Sequence, residues 1–238
     1  MANYEYLKFN SSTVVREKIV KFRDGYRVTY DSSHWKMLHE MRENARKIIR
    51  ALPVRAYVHG SLARGDITKK SDIDIVILEN IPSYLVESYV DYEKRLIMQA
   101  TPNSAIKAVY VIDPVISITF PLTALNEREL QFYDFGGKST LKDERRVRGI
   151  NKKLLFIEPT EDGHMEWSVI GREYECAKML GIDIETVRER VRVLSRRDKI
   201  GRTGVYLKEE VPQNKSVEEY LNMLADRDPV IRRVVRER

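Results

Sequence analysis

Apolar residues recur every three to four positions in some stretches of the chain and every second position in others, and the changes of period mark out its elements. Trp35, Leu38, Met41, Ala45, Ile48 and Ile49 stand at helical steps and predict a helix capped near Ser32 or Ser33, with one face in a core. Lys36, Arg42, Arg46, Lys47 and Arg50 read as its solvated face. Before it, residues 21–30 predict a hairpin turning at Asp24 and Gly25. Residues 56–59 are a short extended apolar segment, residues 72–78 follow a period of two with Asp72 and Asp74 on one face, and residues 84–100 read as a helix. Residues 105–112 and 115–120 predict a hairpin joined at Asp113 and Pro114, and Thr123 opens a helix that Gly136 and Gly137 stop.

Residues 138–153 set Lys142, Arg145, Arg146, Arg148, Lys152 and Lys153 against Asp143 and Glu144, and read as an exposed connection near enough to meet an anionic acceptor. Strands are expected at 154–157 and 165–170 around a turn at 161–164. Residues 172–181 and 185–197 predict two helices separated by Gly181, packed through Ala177, Leu180, Val187, Val191 and Leu194 as a helix-turn-helix. The second of these helices carries Arg188, Arg192, Arg196 and Arg197, a row suited to nucleic-acid phosphates, although such modules also serve as scaffolds. Residues 198–207 read as a small hairpin resembling the wing of winged-helix domains. Ser216 caps a last helix through Leu224, and residues 231–238 form a basic amphipathic tail.

Composition narrows the setting. The 238 residues carry 42 Lys and Arg against 36 Asp and Glu, a net charge of +6, which favours acidic partners such as nucleic acid. The single Cys176 cannot form an intrachain disulfide, so a reducing cytoplasm is expected. No targeting signal is read, and no apolar run approaches the ~18 residues that span a bilayer, so no membrane partner is expected.

The densest chemistry lies in residues 59–78. Gly60 permits a sharp turn whose N–H groups can face a ligand, and a helix starting near Ser61 would add the positive end of its dipole, both favourable to phosphate. Arg64, Lys69 and Lys70 add mobile positive charge. Just downstream, a period of two puts Asp72 and Asp74 on one face and Ile73, Ile75 and Ile77 on the other. Adjacent like charges repel, and a divalent cation between them removes the conflict; Mg2+ takes one or two carboxylates together with substrate phosphates. The plainer reading is an edge strand with two surface aspartates. His59, beside the turn, is read as packing in preference to ligand contact.

Gly60 and Ser61, then Ala63, Arg64, Gly65 and Asp66, then Ser71, Asp72, Ile73 and Asp74 resemble the signature of the DNA polymerase beta-like nucleotidyltransferase superfamily, especially its minimal prokaryotic members. The resemblance implies an α+β fold with a mixed-sheet nucleotidyltransferase domain at 1–150, here followed by a winged-helix-like domain at 151–238. It also implies Mg2+-dependent transfer (Mn2+ is an alternative) of a nucleoside monophosphate from an NTP to a hydroxyl. Gly60 and Ser61 would hold the triphosphate, and Asp72 and Asp74 would be the catalytic metal ligands. The superfamily usually has a third carboxylate on a neighbouring strand, and alternation places Ser117 there. Asp113 is the nearby acid, but an aspartate before proline is more often a turn former. Two functions follow: a nucleotidyltransferase with an unidentified acceptor, or a DNA-binding regulator whose nucleotidyltransferase-like domain only binds nucleotide.

Overall fold

The computed structural model describes residues 19–201 and 204–238. In chain order the elements are β1 (Tyr26–Thr29), α1 (Ser32–Ala51), β2 (Ala56–His59), α2 (Ser61–Arg64), β3 (Ile73–Ile77), α3 (Tyr84–Glu87), β4 (Lys94–Gln99), β5 (Ile106–Asp113), β6 (Ile116–Pro121) and α4 (Glu127–Gly136). They continue with β7 (Lys138–Ser139), β8 (Gly149–Ile150), β9 (Leu155–Thr160), β10 (Gly163–Ser168), α5 (Glu173–Leu180), α6 (Ile184–Ile200), β11 (Leu207–Glu210), α7 (Val217–Arg227) and α8 (Pro229–Glu237). None of the described helices is long and apolar enough to cross a membrane.

Seven strands form one mixed sheet in the order β11-β4-β5-β6-β3-β2-β7, in which β3 and β6 run parallel and the other neighbours antiparallel. One face is apolar: Ala56 and Val58 of β2, Ile73, Ile75 and Ile77 of β3, and Ile118 and Phe120 of β6 are buried in one cluster. Leu38 and Ala45 of α1, Leu221 and Leu224 of α7, and Ile231 and Val234 of α8 belong to the same cluster. The opposite face carries, at register positions, His59 opposite Asp74, Asp74 opposite Ser117, and Ser117 opposite Val111. That row of residues holds the candidate chemistry.

A second, antiparallel sheet has the order β1-β10-β9-β8. With α5 and α6 it surrounds another core, in which Ile150, Leu154, Phe156, Val169, Cys176, Ala177, Val187 and Leu194 are buried together with Phe135 of α4. Burial pushes the Cys176 thiol up to about 12, so it acts as a small apolar core residue.

Several sequence expectations are corrected here. The hairpin expected at 198–207 does not form: α6 continues through Ile200, and β11 pairs with β4 on the edge of the seven-stranded sheet. Strand pairing also crosses the division expected at residue 150 in both directions. β1 joins the second sheet through β10, and β11, α7 and α8 return to the first sheet and its core. No local hairpin forms at Asp24 and Gly25, because β1 takes its partner from residues 163–166. The helix expected over residues 84–100 is the short α3 followed by β4. Arg95, Ile97 and Gln99 are buried at every second position there, and the polar members bond inside: Arg95 to Glu87 at 2.9 Å and Gln99 to the Ser104 carbonyl at 2.9 Å.

The exposed connection at 138–153 contributes β7, β8 and the buried Leu141, Gly149 and Ile150. α1 is capped by Asp31, whose Oδ1 accepts from the His34 N–H at 2.8 Å. α4 is capped by Asn126, which forms a capping box with Glu129, while Thr123 accepts from the Ile106 N–H. The helix pair at α5 and α6 and the cap at Ser216 follow the expected pattern, with Gly181 in the left-handed conformation between the two helices.

Candidate functional site

The site is built from the end of β2, the turn into α2 and the start of β3. β2 and β3 pair antiparallel with His59 opposite Asp74, so the turn at Gly60 and Ser61 comes to lie beside Asp72 and Asp74. Gly60 has φ +78° and ψ −139°, and a Cβ built there meets nothing within 4 Å, so the backbone is open to an approaching ligand. Its N–H donates to the Gly137 carbonyl at 2.9 Å, which fixes the turn against the end of α4. Gly60→Ala is expected to cost about 1–3 kcal/mol through this backbone conformation. Thermal melting would read the loss.

The turn is tied to the loop that follows. Ser61 Oγ donates to Ser71 Oγ at 3.3 Å, and Ser71 Oγ accepts from the Thr68 N–H at 2.9 Å. Lys69 and Lys70 stand exposed at the tip of this loop. Beneath it, Arg42 of α1 is buried and donates through Nη2 to the Leu62 and Ala63 carbonyls at 3.2 and 3.1 Å, and through Nη1 to the Glu144 carbonyl at 2.9 Å. The Leu62 and Ala63 carbonyls belong to a helix of only four residues, too short to satisfy them internally, and Ala63 also accepts from the Val147 N–H at 3.1 Å. Arg42 and Arg46, expected on a solvated face, are therefore interior residues; Arg46 donates to the Leu141 carbonyl at 3.0 Å and pairs with Glu144.

Arg64 is also corrected. It is buried, donates to the Gly136 carbonyl and pairs with Asp66 at 2.9 Å, so it braces the turn from within and is no mobile phosphate contact. His59 packs between Phe132 and Tyr133, with ring centroids 5.4 and 5.2 Å away, and its Nε2 has no hydrogen-bond partner. Burial, reinforced by Arg64, Lys107, Lys152 and Arg190, pushes its pKa down to about 3, so the ring is neutral at physiological pH.

Asp72 and Asp74 are both exposed, on either side of the buried Ile73. Protein packed about Asp74 raises its pKa first, the Asp72 charge raises it further, and Lys152 and the Ser117 hydroxyl pull it back. The pair thus carries a charge conflict that the protein leaves largely unrelieved. Ser117 occupies the neighbouring position on β6, and its Oγ donates to Asp74 Oδ1 at 3.4 Å. Asp113 accepts from the Val115 and Ile116 N–H groups, each at 2.8 Å, and forms the turn. Among the described residues no group of three or more His, Cys, Asp or Glu is placed to hold a metal ion. The protein therefore offers two hard carboxylate oxygen donors and a hydroxyl, a set suited to a cation whose other ligands come from phosphate and water.

α6 carries the arginine row expected to meet nucleic-acid phosphates. Arg188, Arg192, Arg196 and Arg197 are exposed, and Arg188 pairs with Glu185 at 2.7 Å. Two basic residues near the site were not singled out from the sequence. Lys107 of β5 donates to the Tyr133 hydroxyl at 2.9 Å, and Lys152, in the β8–β9 turn, lies within electrostatic range of both His59 and Asp74. The charge run at 138–153 was the available signal for Lys152, but it could not single out one lysine.

Neither the comparison with curated proteins nor that with solved structures finds a match. Residues 38–132, from within α1 to within α4, match the family model of the nucleotidyltransferase domain, so the stretch that builds this site is similar to nucleotidyltransferase domains.

Proposed function

We propose that the chain transfers a nucleoside monophosphate from an NTP to a hydroxyl acceptor, with Mg2+ held by Asp72 and Asp74. The observation that carries this reading is the His59–Asp74 register, which sets the open Gly60 turn beside two mutually repelling carboxylates. When bound, the cation supplies charge stabilisation at the phosphate oxygens. Gly60 and Ser61 receive the triphosphate, and Lys69 and Lys70 flank it from the loop. The acceptor oxygen forms a bond to the α-phosphorus, the bond from that phosphorus to the bridging oxygen breaks, and pyrophosphate leaves. Ser117 is uncharged at neutral pH and takes no proton, so the acceptor proton passes to water.

The test uses NTP labelled at the α-phosphate, Mg2+ or Mn2+, and cell extract as the source of acceptor. Labelled product that needs metal supports the reading, and absence of metal-dependent transfer to any acceptor sinks it.

A second reading rests on α6, where Arg188, Arg192 and Arg196 recur every four residues and are exposed. It makes the chain a nucleic-acid-binding regulator that senses nucleotide without turnover. Duplex binding that weakens with salt and falls about tenfold or more in Arg188→Ala/Arg192→Ala protein is its expected signature. Absence of binding at low salt removes it.

A further inference from the structure

The turn between β8 and β9 is held against the candidate site by unusually close backbone packing. A Cβ on Gly149 would lie 2.8 Å from the backbone of Gly136 and Gly137, and one on Gly137 would lie 2.9 Å from the Arg148 carbonyl oxygen. Gly137 is also the residue whose carbonyl receives the Gly60 N–H. A continuous backbone contact therefore runs from the phosphate-facing turn, through α4's end, to β8. Asn151 then fixes the β8–β9 turn from inside: its Oδ1 accepts from the Lys153 and Leu155 N–H groups at 2.9 and 3.1 Å, and its Nδ2 reaches Asp66 at 3.5 Å. Lys152 sits exposed on this braced turn, with its charge acting on both His59 and Asp74.

Two further cations converge on His59. Lys107 stands on the tyrosine side, and Arg190 of α6 lies over the Phe132 ring at 4.8 Å with its Nε unpartnered. Among the described residues none of Lys107, Lys152 and Arg190 forms an ion pair, whereas Arg64 is neutralised by Asp66. A positive field without matching carboxylates borders the two aspartates, and of the three residues Lys152 is the one exposed to solvent. An anion with several oxygens suits that border, and phosphate is the anion that the proposed reaction brings there.

We propose that Lys152 is a phosphate-binding residue, carried by the four-stranded sheet to the edge of the site formed by Gly60, Asp72 and Asp74. The inference rests on the nucleotide reading above. The phosphate belongs either to the polyphosphate of the NTP or to a phosphodiester of the acceptor, and the chemistry recognised is the same. The arrangement also gives the second sheet a role in the reaction that the segment matching the nucleotidyltransferase family does not contain.

The test measures binding of two probes without metal, inorganic tripolyphosphate and a short single-stranded oligonucleotide with a free 3′-hydroxyl, by calorimetry at low salt. Lys152→Glu is compared with Lys153→Glu, a neighbouring exposed lysine whose replacement changes net charge equally. The expected result is a loss of about tenfold or more for at least one probe in Lys152→Glu and under about twofold in Lys153→Glu, with unchanged melting of both variants. Loss for tripolyphosphate assigns the phosphate to the nucleotide, and loss for the oligonucleotide alone assigns it to the acceptor; either supports the proposal. Equal losses in the two variants, or no binding of either probe by the unaltered chain, overturn it. The same titrations on Asp72→Asn/Asp74→Asn protein need neither metal nor turnover, so failure of the transfer reaction and failure of the Lys152 site are separately visible.

Discussion

Asp74→Asn protein is expected to lose metal-dependent transfer by about 10³-fold or more, in line with removal of a preorganised electrostatic group from an active site. The same substitution is expected to raise the melting temperature at pH 7. In the folded chain the Asp74 pKa is raised, first by surrounding protein and then by Asp72. A carboxyl group with a raised folded-state pKa stabilises the fold while protonated, and that contribution is lost as pH rises through the raised value. At pH 7 the charged group therefore weighs against folding, and asparagine removes the burden. Well below pH 4, at roughly pH 2–3, where aspartate is protonated in both states, the difference between the two proteins should vanish. Melting curves across this range check the sign, and a variant destabilised at pH 7 contradicts the account of a charge conflict. Rising stability with falling activity is the pattern expected when a site holds strain for function.

Arg42→Met is expected to give the largest loss of stability among single changes around the site. Methionine fills much of the same volume but donates no hydrogen bond, so the buried Leu62 carbonyl loses its Arg42 partner, the Glu144 carbonyl loses a part-buried bond, and Ala63 keeps only the Val147 N–H. Leaving buried polar groups unsatisfied costs about 1–3 kcal/mol for each, and relaxation toward water reduces the sum, so about 3 kcal/mol is the expected total. For a chain of this size that corresponds to roughly 6–12 °C in melting temperature. Because Arg42 anchors the short helix after Gly60, NTP affinity should fall as well, even at temperatures where the variant stays folded. Arg42→Lys is not a conservative repair, since one ammonium cannot serve three carbonyls arranged around a planar guanidinium.

These two residues also show what the sequence could and could not disclose. Asp74 was legible because the alternation of aspartate with isoleucine over residues 72–75 has one strand interpretation, and the turn glycine stands 14 residues before it. Ser117 was found at its register position on β6 for the same reason: period-two patterns carry their own geometry. Arg42 was hidden because its place on the helix is set by period, while its burial depends on carbonyls 20 residues away that only the folded chain brings beneath it. β4 was hidden by the same physics, since Arg95 and Gln99 point inward and break the apolar signal that a buried strand normally gives.

The organisation of the second sheet lay further from reach. β1 finds its partner more than 130 residues along the chain, and β11 returns to an edge of the first sheet after the helix pair. A local reading joins such segments to their neighbours in sequence, which is why residues 198–207 read as a wing and residues 21–30 as a hairpin. The charged stretch at 138–153 shows the opposite failure. Its composition is that of a solvated connection, yet Leu141, Gly149 and Ile150 inside it are buried, and Gly149 packs directly on the backbone of Gly136 and Gly137.

NTP binding measured with and without Mn2+ tests whether the Gly60 turn and the two aspartates form one cradle for nucleotide and metal. Mn2+ is expected to tighten NTP binding by about tenfold or more in the unaltered chain and to leave it unchanged in Asp72→Asn/Asp74→Asn protein. Equal tightening by Mn2+ in both proteins would contradict it.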